Sequence, residues 1–380
     1  MRAVVLSRFG PPGGLAMAEV PDPAPGPGQL VIDVEIANIT FVETQVRAGR
    51  SPNPAMAPAL PWIPGNGVGG VVAAVGLGVD PAVLGNRVIS STGGSGGYAE
   101  QVAVDAAGVI AVQDGIELDA AVALLADGRT AVALMRAAAV RPGETVLVEA
   151  AAGGVGSLLV QLARSAGARV VAAAGGDRKL DLARRLGAGI AVDYTRPAWT
   201  DRLPGVDVVF DGVGGAIGLA AFERVQPGGR FCAFGLASGS FTSIPDGEAQ
   251  RRGVTVIRGA PLQPAELVEL TRAALTEAAS GRLHPVIGQT FPLERAADAH
   301  AAIEARATVG KTLLLTGGRR GYGLPRESAA AIPITGSTAR AAERFAEYAG
   351  AGADHLVLGI IDGDWREQCE LIAEARALLD

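Results

Sequence analysis

The sequence is poor in the residues that bind metals and form cross-links. In 380 residues there are two cysteines, Cys232 and Cys369, and three histidines, His284, His300 and His355. Two distant cysteines make no disulfide framework, and a reducing, cytoplasmic setting fits them. A catalytic zinc needs Cys and His ligands and a structural zinc about four closely spaced cysteines, so neither site is expected. The histidines read as loop, helix-face and strand-start residues. Lysine is scarce too: Lys179 and Lys311 are the only two, and the other 31 of the 33 basic residues are arginine. With a net charge of -6 there is no basic footprint for a phosphate backbone, so nucleic acid is not an expected partner. The opening MRAVVLSRFG reads as a strand and a turn, without the long apolar core of a signal peptide, so export is not expected. A membrane span is not expected either. The most apolar stretch, Thr145 to Ala163, contains Glu149, Gln161 and three glycines, and reads as strand, turn and helix.

What is present is a globular composition, 49% hydrophobic and 19% charged, with 53 Gly and 23 Pro spread through the chain. The length calls for two domains. From Met1 to about Gln113 short β-rich runs (Leu30 to Ile36, Val68 to Val75, Arg87 to Ser90, Glu100 to Val104) alternate with Pro and Gly turns, which predicts a mostly antiparallel β domain. After Leu118, Ala/Leu/Val helices alternate with buried strands at Thr145 to Glu149, Arg169 to Ala174, Val206 to Phe210, Arg230 to Phe234 and Val254 to Arg258. That alternation predicts a parallel sheet with crossover helices. Beyond Pro264, helix, strand, helix and a final strand Lys311 to Leu315 can return to complete the first domain.

Strand Thr145 to Glu149 runs into Ala150-Ala151-Ala152-Gly153-Gly154-Val155-Gly156 and then a helix. This is the setting of a dinucleotide fingerprint, with Ala151, Gly153 and Gly156 in the three glycine places, and it puts a pyrophosphate on the N-terminus of the Val155 helix. An NAD site carries an acid at the end of the second strand, to hold the ribose hydroxyls. Here that strand ends Ala174-Gly175-Gly176, followed by Asp177-Arg178-Lys179. Lysine in a chain that otherwise uses arginine can meet a 2′-phosphate, which favours NADPH, although Asp177 can still bind a ribose hydroxyl.

Further motifs follow in order: Phe41-Val42-Glu43-Thr44-Gln45-Val46-Arg47-Ala48-Gly49, Pro64-Gly65-Asn66-Gly67-Val68-Gly69-Gly70, Gly85-Asn86-Arg87-Val88, Gly97-Tyr98-Ala99-Glu100, Gly128-Arg129-Thr130-Ala131, Leu186-Gly187-Ala188, Asp211-Gly212-Val213-Gly214-Gly215 and Gly310-Lys311-Thr312. In this order the chain resembles the zinc-free quinone oxidoreductases of the medium-chain dehydrogenase/reductase superfamily, over residues 1–316. The resemblance implies an α/β fold in which a GroES-like β domain (1–120 and 262–316) joins a Rossmann doubly wound parallel sheet (121–261). It also implies a cofactor cleft between the two and homodimers formed through the Rossmann sheet edge. By the same resemblance Thr130 contacts the nicotinamide side, Gly153, Gly154, Val155 and Gly156 with Ala151 the pyrophosphate, and Gly175, Lys179 and Tyr194 the 2′-phosphate end. Phe234 and Gly235 lie near the nicotinamide ribose or ring.

Two departures bear on catalysis. Thr40 stands where many relatives have asparagine, and Gln45 where they have tyrosine, so Gln45 cannot give a proton as a tyrosine does. The expected activity is metal-free transfer of a hydride from NADPH to a quinone or an α,β-unsaturated carbonyl compound, with Thr40, Gln45 and Thr130 as hydrogen-bond donors to the developing anion. A non-catalytic NADPH-binding or scaffold protein, and a pathway-specific natural-product reductase or cyclase, remain open alternatives. Residues 317–323 read as a linker. Residues 324–380 read as a small C-terminal α-β-α appendage that resembles the end of a luciferase-like monooxygenase barrel and could shape the substrate cleft.

Overall fold

The computed structural model describes residues 1–51, 57–201, 203–259 and 262–317, together with 342, 343, 345 and 346. The chain divides into two units, Met1–Gly318 and Arg319–Asp380. The expected linker and appendage therefore fall almost wholly outside the described residues.

In the first unit β1 (Arg2–Leu6) and β2 (Leu15–Glu19) form an antiparallel pair. The long β3 (Gln29–Ile39) leads through Thr40 into helix α1 (Phe41–Arg47), and β4 (Gly67–Val75), β5 (Arg87–Ser91), β6 (Gln101–Asp105) and β7 (Val109–Ala111) follow. β3 pairs antiparallel with both β4 and β6, β4 with β5, and β5 with β7. β3 is buried at eight of its eleven residues and alternates only from Ile32 to Ile36, as a central strand covered on both faces over much of its length does. The core of this sheet contains Val4, Leu30, Ile32, Val34, Trp62, Val72 and Tyr98.

The 21-residue helix α2 (Leu118–Ala138) crosses to a second sheet. There β8 (Thr145–Glu149), α3 (Gly154–Ser165), β9 (Arg169–Ala174), α4 (Asp177–Leu186) and β10 (Ile190–Asp193) make the first half. β11 (Val206–Asp211), α5 (Gly215–Phe222), β12 (Val225–Ala233), the single-turn α6 (Glu248–Arg251) and β13 (Thr255–Arg258) make the second. All six strands are parallel in the order β10-β9-β8-β11-β12-β13. β8 is buried at all five residues, which is why it reads as a continuous apolar run. The edge strand β10 was not among the expected strands. In IAVD, Ile190 is exposed and the other three residues are half-buried, so the strand carries no such run.

Helix α7 (Pro264–Ala279) packs along α2, and β14 (Ile287–Pro292), α8 (Ala296–Glu304) and β15 (Lys311–Leu315) return to the first sheet. β15 lies antiparallel to β3 and parallel to β14. One apolar core runs from Ile36 and Ile89 of the first sheet through Leu118, Val122 and Leu125 of α2 to Val146 and Val148 of the second. The helix is thus a wall common to both sheets.

Candidate active site

Where β8 meets α3 the chain turns through Ala150, which adopts a positive φ of 47°, and α3 starts at Gly154 with Gly153 as its N-cap. The first amides of a helix have no intrahelical acceptor, so this turn aims N–H groups and the positive end of the helix dipole into the space beside it. A Cβ on Gly156 would overlap the Ala150 carbonyl oxygen, and one on Gly154 would overlap the Asp127 carboxylate. Gly156 is therefore required by close approach of fixed backbone, whereas a side chain at Gly154 would have to displace the Asp127 carboxylate. The residues suit a pyrophosphate: Gly153, Gly154, Val155 and Gly156 line a cleft of about 1130 Å³ between the two sheets.

Along that cleft the second sheet contributes Gly175, Lys179, Tyr194, Phe234 and Gly235, and the first contributes Thr40, Phe41, Glu43 and Asn66. Thr130 of α2 lines it too. Two of the expected residues do not. Ala151 is fully buried beneath the turn, donating its amide to Ala173 O at 3.1 Å and packing into the core, so it shapes the turn without facing a ligand. Gln45 is on the far side of α1: its Nε2 donates to Thr44 Oγ1 at 3.1 Å and its Oε1 accepts from Arg50 Nε at 3.2 Å. It borders an adjoining surface hollow with Arg50 and Glu304, beyond Phe41 and Arg306, and is not among the residues that line the cleft. On a seven-residue helix, Glu43 and Gln45 point to different sides.

At one end of the cleft the cations gather. Lys179 Nζ donates to the Arg306 carbonyl at 2.7 Å, and burial together with the neighbouring Arg306 and Arg178 charges lowers its pKa. Arg306 lies over the Phe41 ring at 4.6 Å and donates to Ala237 O. Tyr194 stands edge-on to Trp199, and its pKa is raised mainly by burial. Sequence reasoning missed Arg306. It is 127 residues from Lys179, and only the folded chain brings them together.

At the other end the polar groups are few and specific. Thr40 caps α1, and both its amide and its hydroxyl meet Glu43 Oε2, at 2.6 and 2.8 Å. The Thr-x-x-Glu spacing is that of a capping box. Burial raises the Glu43 pKa against the effect of those hydrogen bonds and of the Lys311 charge. Thr130 donates its hydroxyl to Ala126 O at 2.8 Å, so it offers the cleft an acceptor rather than a proton. Lys311, 4% exposed, pairs with Asp127 at 3.1 Å. Its rarity in an arginine-rich chain and its place in the Gly310-Lys311-Thr312 motif were the sequence signals for it. Arg129 Nη1 donates to Ser91 Oγ at 2.8 Å.

Two further buried pairs lie directly behind the cleft lining, Tyr98 in contact with Glu43 and Glu149 beneath Val213. Tyr98 and His300 meet at 3.0 Å inside the first core, where burial drives the His300 pKa down to about 3 and leaves the ring neutral. Glu149 and Asp211 lie at the ends of β8 and β11, and burial beside Asp211 raises the Glu149 pKa strongly. Among the described residues no cluster of three or more His, Cys, Asp or Glu side chains is placed to hold a metal ion. No described helix is long and apolar enough to cross a membrane.

Comparison with known proteins agrees with this architecture. Residues 26–114 match the alcohol dehydrogenase GroES-like domain and residues 186–314 the zinc-binding dehydrogenase family. A probable quinone oxidoreductase of Schizosaccharomyces pombe is 36% identical over 327 residues, covering 82% of this chain and 96% of that one. A 2-haloacrylate reductase of a Burkholderia species is 31% identical, covering 82% of this chain and 98% of that one. The Escherichia coli quinone oxidoreductase, solved in complex with NADPH, superposes with a TM-score of 0.76 at 28% identity, over 83% of this chain and 100% of that one. With its GroES-like and Rossmann-like parts joined across a glycine-turn cleft, this chain belongs to the quinone oxidoreductase group of the medium-chain dehydrogenase/reductase superfamily.

Proposed function

We propose that the protein is a metal-independent, NADPH-dependent reductase acting on a quinone or an α,β-unsaturated carbonyl compound. The observation that carries this reading is that one cleft is lined by the Gly153 to Gly156 turn, by Lys179 and Arg306, and by Thr40, Glu43 and Phe234. Bound NADPH supplies a hydride, and reduction is completed by a proton taken up from solvent, leaving NADP⁺.

The residues divide the work. Gly153 to Gly156 receive the pyrophosphate, and Lys179 with Arg306 and Tyr194 favour the extra phosphate of NADPH over the bare ribose of NADH. Thr130, with its proton committed to Ala126, suits a donor such as a carboxamide N–H. Thr40 serves the acceptor. While Glu43 is neutral, its carboxyl proton can be donated to Thr40 Oγ1, which frees the threonine hydroxyl to donate to the acceptor carbonyl and stabilise the charge that develops there. Once Glu43 ionises, its carboxylate accepts the hydrogen bond of the Thr40 hydroxyl instead. The donor is then lost.

A panel of a benzoquinone, an enone and the matching saturated ketone, assayed by NADPH oxidation with and without chelator, tests the reading. Turnover of the conjugated acceptors alone, unaffected by chelation, is expected. Binding of NADPH without turnover of any acceptor, or reduction of the saturated ketone at a comparable rate, contradicts it.

A further inference from the structure

The acceptor end of the cleft holds a charge without a partner. Helix α2 presents Asp127, Arg129 and Thr130 to the cleft within one turn, and β15 brings Lys311 beside Asp127. Asp127 and Lys311 satisfy each other at 3.1 Å. Glu43, buried against Thr40, is held toward its neutral form. Among the described residues Arg129 forms one hydrogen bond, from Nη1 to Ser91 Oγ, and no ion pair. Its guanidinium is therefore one positive charge beyond what the local acids match, in a half-buried position where burial already acts against the charge and Asp127 only partly offsets it.

Geometry says which way that charge faces. Ser91 ends β5, next to the Gly93 and Gly94 segment that lines the cleft, so the anchoring hydrogen bond draws Arg129 toward the first sheet. On the phosphate side Asp127 intervenes, its carboxylate pressed against Gly154. A guanidinium held at Nη1 keeps its Nε and Nη2 edge for a ligand, and that edge matches the two oxygens of a carboxylate. The same cleft is lined by the apolar Trp62 and Val42, and apolar lining strengthens a charge pair.

Resting on the reductase reading above, we infer that the preferred acceptor is a conjugated carbonyl compound bearing a carboxylate, and that Arg129, oriented by Ser91, is the residue that selects it. A neutral enone or quinone fills the same space but leaves the arginine unpaired. The discrimination expected from one charge-assisted hydrogen-bonded pair is about 10- to 100-fold.

The test compares 4-oxopent-2-enoate with its methyl ester, which share the reactive enone and differ in charge. In the unaltered protein kcat/KM with NADPH should favour the acid by at least 10-fold, chiefly through KM, and the advantage should shrink with added salt. Arg129→Leu should collapse the acid-to-ester ratio toward one, and Arg129→Lys should restore part of it. Should these variants fail to fold, competition in the unaltered protein decides: saturated 4-oxopentanoate should inhibit against the acceptor at least 10-fold more strongly than its methyl ester. The inference is overturned by an unaltered protein that prefers the ester, by acid and ester losing activity equally in Arg129→Leu, or by a raised KM for NADPH with both acceptors. An unaltered protein that oxidises NADPH with neither compound, nor with a quinone, overturns the reductase reading itself.

Discussion

The two ends of the cleft are built by different means. At the phosphate end the work is done by backbone: a turn, a helix start and glycines with no room for a side chain. At the acceptor end it is done by side chains from distant segments, Thr40 and Glu43 from α1, Arg129 from α2 and Lys311 from β15. Backbone sites are specified locally and tolerate no bulk, whereas side-chain sites tolerate substitution and change their chemistry with it. A family can thus keep its cofactor and vary its acceptor.

The largest expected effect strikes the backbone end. Gly156→Val should abolish NADPH binding, because the new side chain overlaps the Ala150 carbonyl and displaces the start of α3. Fluorescence titration with NADPH, alongside a thermal melt to show that the protein folds, measures this. Retained binding would mean that the turn is not the phosphate site.

Lys179→Ala should be smaller and selective. Loss of a charged hydrogen bond to a phosphate costs about 1.5–3 kcal/mol, so NADPH affinity should fall about 10- to 100-fold while NADH affinity stays within about threefold. Equal losses for both cofactors would remove Lys179 from the 2′-phosphate.

At the side-chain end the sharper probe is pH. Glu43 has a raised folded-state pKa, so its neutral form persists above the ordinary carboxyl range, and turnover should fall as pH rises through that raised value. Glu43→Gln, neutral at every pH, should lose this alkaline fall. The same shift means that the group's contribution to stability is fully present below its unfolded pKa and lost as pH rises through the folded one. His300 has the opposite sign. Its pKa falls from the usual 6.5 to about 3, so its contribution is present above 6.5 and lost as pH drops through that interval. Thermal melts between pH 3 and 7 should show acid destabilisation that is reduced in His300→Gln.

The smallest effect is expected at Gln45. Gln45→Ala should cost about 1 kcal/mol of stability through its bonds to Thr44 and Arg50, and change kcat/KM by less than twofold. A tenfold loss of activity without loss of stability would return Gln45 to the acceptor site.

The same contrast explains what could be read from the sequence. The glycine turn after Thr145 to Glu149 was legible because its geometry depends on residues next to one another, and so were the strands of the second sheet that are buried on both faces. Ala151 was misplaced because the motif marks it as part of the turn but does not say that it faces inward. Gln45 was misplaced because a helix start in the motif leaves open which residues face the cleft. Arg129 lay inside a motif that was noted for Thr130, and nothing local says that it bonds Ser91, 38 residues earlier. Asp127 with Lys311 and Lys179 with Arg306 are 184 and 127 residues apart in sequence. No local pattern announces such pairs.

If the cleft passes a hydride from NADPH to the acceptor, the isotope must travel with it. The unaltered protein is given NADPH deuterated at the transferable C4 position and an enone in ordinary water, and the product is examined by NMR. The account predicts one deuterium at the β-carbon for each NADPH oxidised and a solvent proton at the α-carbon. NADPH bound without oxidation, or oxidised with no deuterium in the product, would contradict it.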